Sequence, residues 1–216
     1  MQVRQDKTIV LDLSTILRSE GRARGGRRRS MRRAAFLDRD GTINTEKEYL
    51  YRIDEFEFIP GAPEAVRLLN EAGFLVVVVS NQSGVGRGYY TEDDVETLHR
   101  HIATELAGAG ARVDAWFYCP HHPSGRGSYA LACRCRKPLP GMLIEAAARY
   151  DIDLASSVMI GDKLVDVEAG MAAGCRPMLV RTGYGAAQEA SVPSGVGVYD
   201  DLLAVARVLA RPCDGV

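Results

Sequence analysis

From residue 34 onward the chain switches repeatedly between short unbroken apolar runs and stretches in which apolar residues return at helical spacing. The run FLVVVVS (74–80) shows no polar alternation, which is the pattern of a strand buried on both faces. AAFLD (34–38), DAWFYC (114–119), SSVMIGD (156–162) and PMLV (177–180) read as further strands. Between them, APEAVRLLNEAG (62–73) has the 3.6-residue period and a closing Gly, so it reads as a helix. TEDDVETLHRHIATELAGAG (91–110) opens on a Thr cap with acids in its first turn. GMLIEAAARYDI (141–152), KLVDVEAGMAAG (163–174) and DLLAVARVLA (201–210) are the remaining helices. Strand–helix alternation with buried strands predicts a three-layer, Rossmann-like α/β fold, a parallel sheet with helices on both faces. Sites in such sheets lie at the carboxyl ends of the strands. Asp38, Ser80, Cys119 and Asp162 each close one.

Charge divides the chain. Residues 1–33 hold ten Lys/Arg against three acids, while the rest holds seventeen against twenty-five. An acidic body gives no electrostatic case for nucleic-acid binding, and a basic tail on a zinc-stabilised module is the reading it disfavours. The tail is rich in Arg and Gly without sustained apolar period, so residues 1–33 are expected to be a disordered extension. Met31 precedes the first convincing strand, and residues 1–30 are expected to be dispensable. One domain is expected over 34–213. The five cysteines fit no secreted disulfide framework, and no apolar run approaches a membrane span, so a reducing cytoplasm is expected.

The strand ends carry the chemistry. In FLDRDGTIN (36–44), Asp38 and Asp40 project to the same side wherever the chain stays extended, and Gly41 lets it turn away. A carboxylate can attack phosphorus, and a second carboxyl group can protonate a departing oxygen. SNQSG (80–84) offers a hydroxyl, an amide and main-chain N–H groups to phosphoryl oxygens. RKP (136–138) offers a cation, and GDKLVD (161–166) offers two acids suited to Mg²⁺. Cys119 with His121 and Cys133 with Cys135 form two short pairs across a loop, a closed three-thiolate, one-imidazole set of structural Zn²⁺ type. A swap of His121 for His122 stays open. Cys175 and Cys213 read as small packing residues, and His99 and His101 as surface residues.

DRDGT, SNQ, the Lys of CRKP and GDKLVD, in that order, resemble the four motifs of the haloacid dehalogenase-like phosphohydrolases across residues 34–183. The wording FLDRDGTIN, VVSNQSGVGRG, YCPHHP, CRCRKPLPGM and GDKLVD is similar to the branch that takes the 7-phosphate from a heptose bisphosphate in nucleotide-activated heptose biosynthesis. The related histidinol-phosphate phosphatases are the alternative. The resemblance implies that Asp38 is the nucleophile and Asp40 the general acid and base. It implies Mg²⁺ held by Asp38, the Asp40 main-chain carbonyl and Asp162, with Lys163 and Asp166 supporting. Ser80 and Asn81 would hydrogen-bond the transferring group and Lys137 would counter its charge. The same branch carries a zinc loop at 119–135 with the four ligands above. Arg136, next to the last ligand, and Arg87 are candidates for contact with the rest of a small phosphorylated sugar. Little chain separates the second and third motifs, so no large cap domain is expected, and a monomer is the expected state.

Overall fold

The computed structural model describes residues 9–11 and 31–211. Seven strands form one sheet: β1 (Ile9–Leu11), β2 (Ala34–Leu37), β3 (Leu75–Asn81), β4 (Ala115–Cys119), β5 (Val158–Gly161), β6 (Arg176–Val180) and β7 (Gly197–Tyr199). Their order is β1-β4-β3-β2-β5-β6-β7. All neighbours are parallel except β1, which runs antiparallel to β4 with Ile9 opposite Tyr118 and Leu11 opposite Trp116. Within the 1–33 expected to be a disordered extension, Ile9–Leu11 form this strand and Arg32 makes an isolated parallel bridge to Ile152. Backbone pairing of the apolar Ile9–Leu11 triplet completes the ladder that β4 would otherwise leave open at its edge. Residues 1–8 and 12–30 of that expectation, and Cys213, lie outside the described residues.

The alternation that a buried strand lacks in polarity it has in destination. Ala35 and Leu37 of β2 face a core with Val76, Val78, Trp116 and Ile160. There they meet α1 (Ala62–Glu71), α3 (Glu92–Gly108) and α7 (Leu202–Leu209) through Leu69, Leu98, Ile102, Leu106 and Val205. Ala34 and Phe36 face the other way, with Val77, Val79, Phe117 and Met159, onto α4 (Gly141–Tyr150) and α5 (Leu164–Ala173) through Met142, Leu143, Ala146 and Ala169. Cys175 is buried in this second layer, as expected of a small packing residue. Two short helices, α2 (Ser83–Arg87) and α6 (Gly185–Gln188), complete the fold. Among the described residues, no helix is long and apolar enough to cross a membrane.

The predicted helices lie within a residue or two of their observed bounds, and α3 and α7 open on explicit side-chain caps. Thr91 accepts the Asp94 N–H at 3.2 Å, and the Asp94 carboxylate accepts the Thr91 N–H at 2.8 Å, a reciprocal box that opens α3. Thr91→Ala is expected to cost about 1 kcal/mol, read as a lower midpoint in urea with unchanged slope. Chain order reverses between β2 and β5, which open toward opposite ends of the sheet. The crevice beyond their carboxyl ends is where this architecture places a ligand.

Candidate active site and metal centre

The segment after β2 continues its ladder for one residue, with the Asp38 N–H donating to Ile160 O at 2.9 Å, and then turns. Gly41 takes φ +84°, and a Cβ there would collide with the Asp162 carboxylate, so the turn needs glycine twice over. The turn brings Asn44 back so that its amide donates to Asp40 Oδ1 at 3.0 Å.

Asp38 is buried at the floor of a small cleft of ≈ 70 Å³ lined by Asp40, Ser80, Asn81, Lys137 and Lys163, together with Glu46 and Glu48. Its Oδ1 accepts from the Arg39 N–H at 2.8 Å and pairs with Lys137 Nζ at 2.8 Å. Lys137 is also buried, and its ammonium further meets Asp166 Oδ1 and Val79 O, both at 2.7 Å. Burial alone would lower the Lys137 pKa, but the carboxylates of Asp166 and Asp38 outweigh it and the group is held charged. Asn81 does not point its amide into open space. It clamps the Lys137 main chain, donating to Lys137 O and accepting the Lys137 N–H at 3.0 Å each. Ser80 Oγ accepts from Gln82 Nε2 at 2.7 Å.

Asp38, Asp162 and Asp166 place one carboxylate oxygen each within 4.8 Å of the others. Burial, then the negative charge of Asp38, pushes Asp162 up to about 8. Burial also raises Asp166, to about 6, although Lys137 opposes the rise. Asp162 Oδ2 accepts the Tyr184 N–H at 2.9 Å, whereas its buried Oδ1 has no hydrogen-bond partner. Crowded hard oxygens with an unpartnered lone pair suit a divalent cation. Asp166 Oδ2 accepts the Lys163 N–H at 3.0 Å at the start of α5, which ties this carboxyl group to the loop. Lys163 Nζ donates to Glu46 Oε2 at 2.6 Å, stands 3.9 Å from Asp162 Oδ2 and lies over the Tyr184 ring. Burial opposes its charge, but Asp162, Asp38 and Glu46 raise its pKa.

Asp40 lies beside this centre in a cradle that the motif reading passed over. Arg39 grips it with Nε on Oδ1 at 3.1 Å and Nη2 on both oxygens at 2.9 Å. Gln82 Nε2 donates to Asp40 Oδ2 at 3.1 Å, and Tyr90 OH donates to Gln82 Oε1 at 2.7 Å. His99 is fully buried rather than on the surface, stacked on Trp116 with Nε2 3.4 Å from Arg39 Nη1. Burial, and then Arg39, holds its pKa well below the usual imidazole value. The reason for the correction is position, since His99 shares the inward face of α3 with Val95, Leu98, Ile102 and Leu106. His101 is partly exposed, edge-on to Phe56.

The thiols of Cys119, Cys133 and Cys135 stand 3.1–3.4 Å apart, and His121 Nδ1 lies 3.4 Å from Cys135 Sγ and 3.8 Å from Cys119 Sγ. All four donors are buried and converge on one point, a set that can hold a metal ion. The neighbouring Cys119 thiol and burial raise Cys135, and burial raises Cys133, so three thiolates together require a cation. His122 is turned elsewhere. Its Nδ1 accepts the Ser124 N–H at 3.0 Å, and its Nε2 is 3.1 Å from Arg87 Nη2. Arg136, directly after the last thiol, donates to His121 O at 3.3 Å.

The chain is similar to proteins already known. A hydrolase-like family model described as HAD-hydrolase-like matches residues 134–205. The D-glycero-beta-D-manno-heptose-1,7-bisphosphate 7-phosphatase of Escherichia coli (strain K12) is 49% identical over 152 residues, which is 69% of this chain and 80% of the relative. The protein of that name from Haemophilus influenzae is 41% identical over 184 residues, 84% of this chain and 98% of the relative. The crystal structure of D,D-heptose 1,7-bisphosphate phosphatase from B. bronchiseptica, complexed with magnesium and phosphate, aligns with a TM-score of 0.75 at 40% identity, covering 82% of this chain and 97% of that one. The chain belongs to the haloacid dehalogenase-like hydrolases, in the branch that holds these heptose-bisphosphate phosphatases.

Proposed function

We propose that the protein removes the 7-phosphate of D-glycero-D-manno-heptose 1,7-bisphosphate through a phospho-aspartate at Asp38. The observation that carries this is the buried Asp38–Lys137 pair at the floor of an open cleft, a nucleophile and the counter-charge its substrate needs in contact at 2.8 Å. The Asp38 carboxylate attacks phosphorus, the bond from phosphorus to the sugar oxygen breaks, and Asp40 gives that oxygen its proton. Asp40 then takes a proton from water as the water oxygen attacks the same phosphorus. The Asp38–phosphorus bond breaks and inorganic phosphate leaves. Ser80 and the main chain about Asn81 contact the transferring group, and Asn81 fixes the lysine that counters its charge.

Asp38, the Asp40 carbonyl and Asp162 would hold Mg²⁺, with Asp166 and Lys163 bracing the loop. The ion supplies positive charge against the phosphoryl oxygens. Cys119, His121, Cys133 and Cys135 would hold a structural Zn²⁺ whose last ligand abuts Arg136 and Lys137. Arg136 and Arg87, which bond to His121 O and His122 in the zinc loop, would contact the rest of the phosphorylated sugar. A thiolate metal site suits a reducing cytoplasm. The core domain is taken as 34–213.

A panel of phosphate esters with Mg²⁺ tests the substrate. The 7-phosphate of the heptose bisphosphate is expected to be released, with the 1-phosphate left in place and histidinol phosphate hydrolysed poorly. Preferential hydrolysis of histidinol phosphate would overturn the heptose reading.

A further inference from the structure

Arg39 is an unusual residue to bury. Its side chain is 1% exposed against 13% for the Asp40 it holds, so it stands behind the cleft rather than in it. A guanidinium survives such burial only when its donors are met. Here Nε and Nη2 grip Asp40, Nη2 also reaches Leu50 O at 2.9 Å, and Nη1 faces His99 Nε2. Two parallel contacts from a planar fork fix the plane of a carboxylate as well as its place. Gln82 fixes the other side. Tyr90 donates to its Oε1, so its Nε2 is committed to Asp40 Oδ2 and Ser80 Oγ, and its own N–H donates to Cys119 O at 2.8 Å.

We propose that Arg39 and Gln82 are positioning residues for Asp40, locking its carboxyl group in the one orientation that serves both the departing sugar oxygen and the attacking water. The proposal rests on Asp40 being the group that gives and then takes the proton. An aspartate at a turn has two soft torsions, and a small error in either moves a proton-transfer distance out of reach. The buried Arg39, with its Nη1 against a His99 that is stacked on Trp116, removes that freedom from behind the cleft.

The test compares Arg39→Met, Arg39→Lys, Gln82→Leu and Asp40→Asn in the Mg²⁺-loaded full chain. The substrates are the heptose bisphosphate, whose leaving oxygen needs a proton, and p-nitrophenyl phosphate, whose leaving group needs none. For Arg39→Met, kcat on the sugar is expected to fall about 100-fold with KM changed less than about threefold. Rapid mixing with p-nitrophenyl phosphate is expected to give a burst near one p-nitrophenol per chain, then slow turnover. Asp38 is still phosphorylated, but water finds no aligned base. Arg39→Lys restores part of the lost rate. Equal losses on both substrates with no burst, or normal turnover, would overturn the proposal. Where Arg39→Met does not fold, Gln82→Leu decides, since it keeps the buried ion pair. A burst with about tenfold slower turnover supports the proposal, and its absence overturns it. Asp40→Asn that hydrolyses the sugar phosphate at the normal rate would instead refute the proton-transfer role of Asp40, whatever the Arg39 variants do.

Discussion

Asp38→Asn is expected to lower turnover by about three orders of magnitude or more while leaving the protein folded. The amide keeps the shape of the carboxylate but is not a nucleophile toward phosphorus. Folding survives because of the charges around it. Asp38 raises the pKa of both Asp162 and Asp166, so neutralising it relieves repulsion among three crowded acids. Lys137 loses one partner but keeps Asp166 and Val79 O. A thermal melt without added metal should therefore show a midpoint held or raised, beside the loss of phosphate release. A folded Asp38→Asn with normal turnover would remove Asp38 from the reaction.

The second large effect is expected at the metal clip. Purified protein should contain about one zinc per chain, retained when Mg²⁺ is stripped by a mild chelator. Cys133→Ser replaces a thiolate by a hydroxyl that does not ionise at neutral pH, so the ion should be lost on dialysis. The three remaining donors then sit buried without a cation, and the loop from 120 to 134 loses its anchor to β4. Arg136 follows the last ligand and bonds back to His121 O, so its position should loosen first. KM for the heptose bisphosphate is expected to rise about 10- to 100-fold, while kcat on p-nitrophenyl phosphate stays within about tenfold, because Lys137 is still clamped by Asn81. The melting midpoint should fall. Full activity in protein that carries no tightly held zinc would contradict the clip.

The sheet and the residues at its strand ends were readable in advance, because both are written locally. An unbroken apolar run such as 74–80 has one comfortable place, and an acid that ends such a run stands at the crevice by topology. The thiol–imidazole set was equally local, as two pairs two residues apart. The cradle of Asp40 was not. Arg39 between two aspartates reads as a solvated charge until the segment around Leu50 and the long helix close over it. Gln82 stood inside a recognised motif without a role, since its amide is assigned only by Tyr90 and Asp40 on either side. His99 did carry a signal. With 95, 98, 102 and 106 it completes the apolar stripe of α3, and a polar residue on a buried stripe must find a polar partner. Strand β1 is three residues inside an Arg-rich tail, and only its pairing with β4 distinguishes it. The short β7 and α6 lack the length for any periodicity.

The central claim, that phosphate passes through Asp38 on its way to water, is tested most directly by the stereochemistry at phosphorus. A sugar phosphate made chiral with oxygen isotopes is hydrolysed in isotopically labelled water, and the configuration of the released phosphate is read. Each in-line displacement inverts phosphorus, so transfer to Asp38 followed by transfer to water predicts net retention. Net inversion would mean a single direct attack by water and would contradict the account.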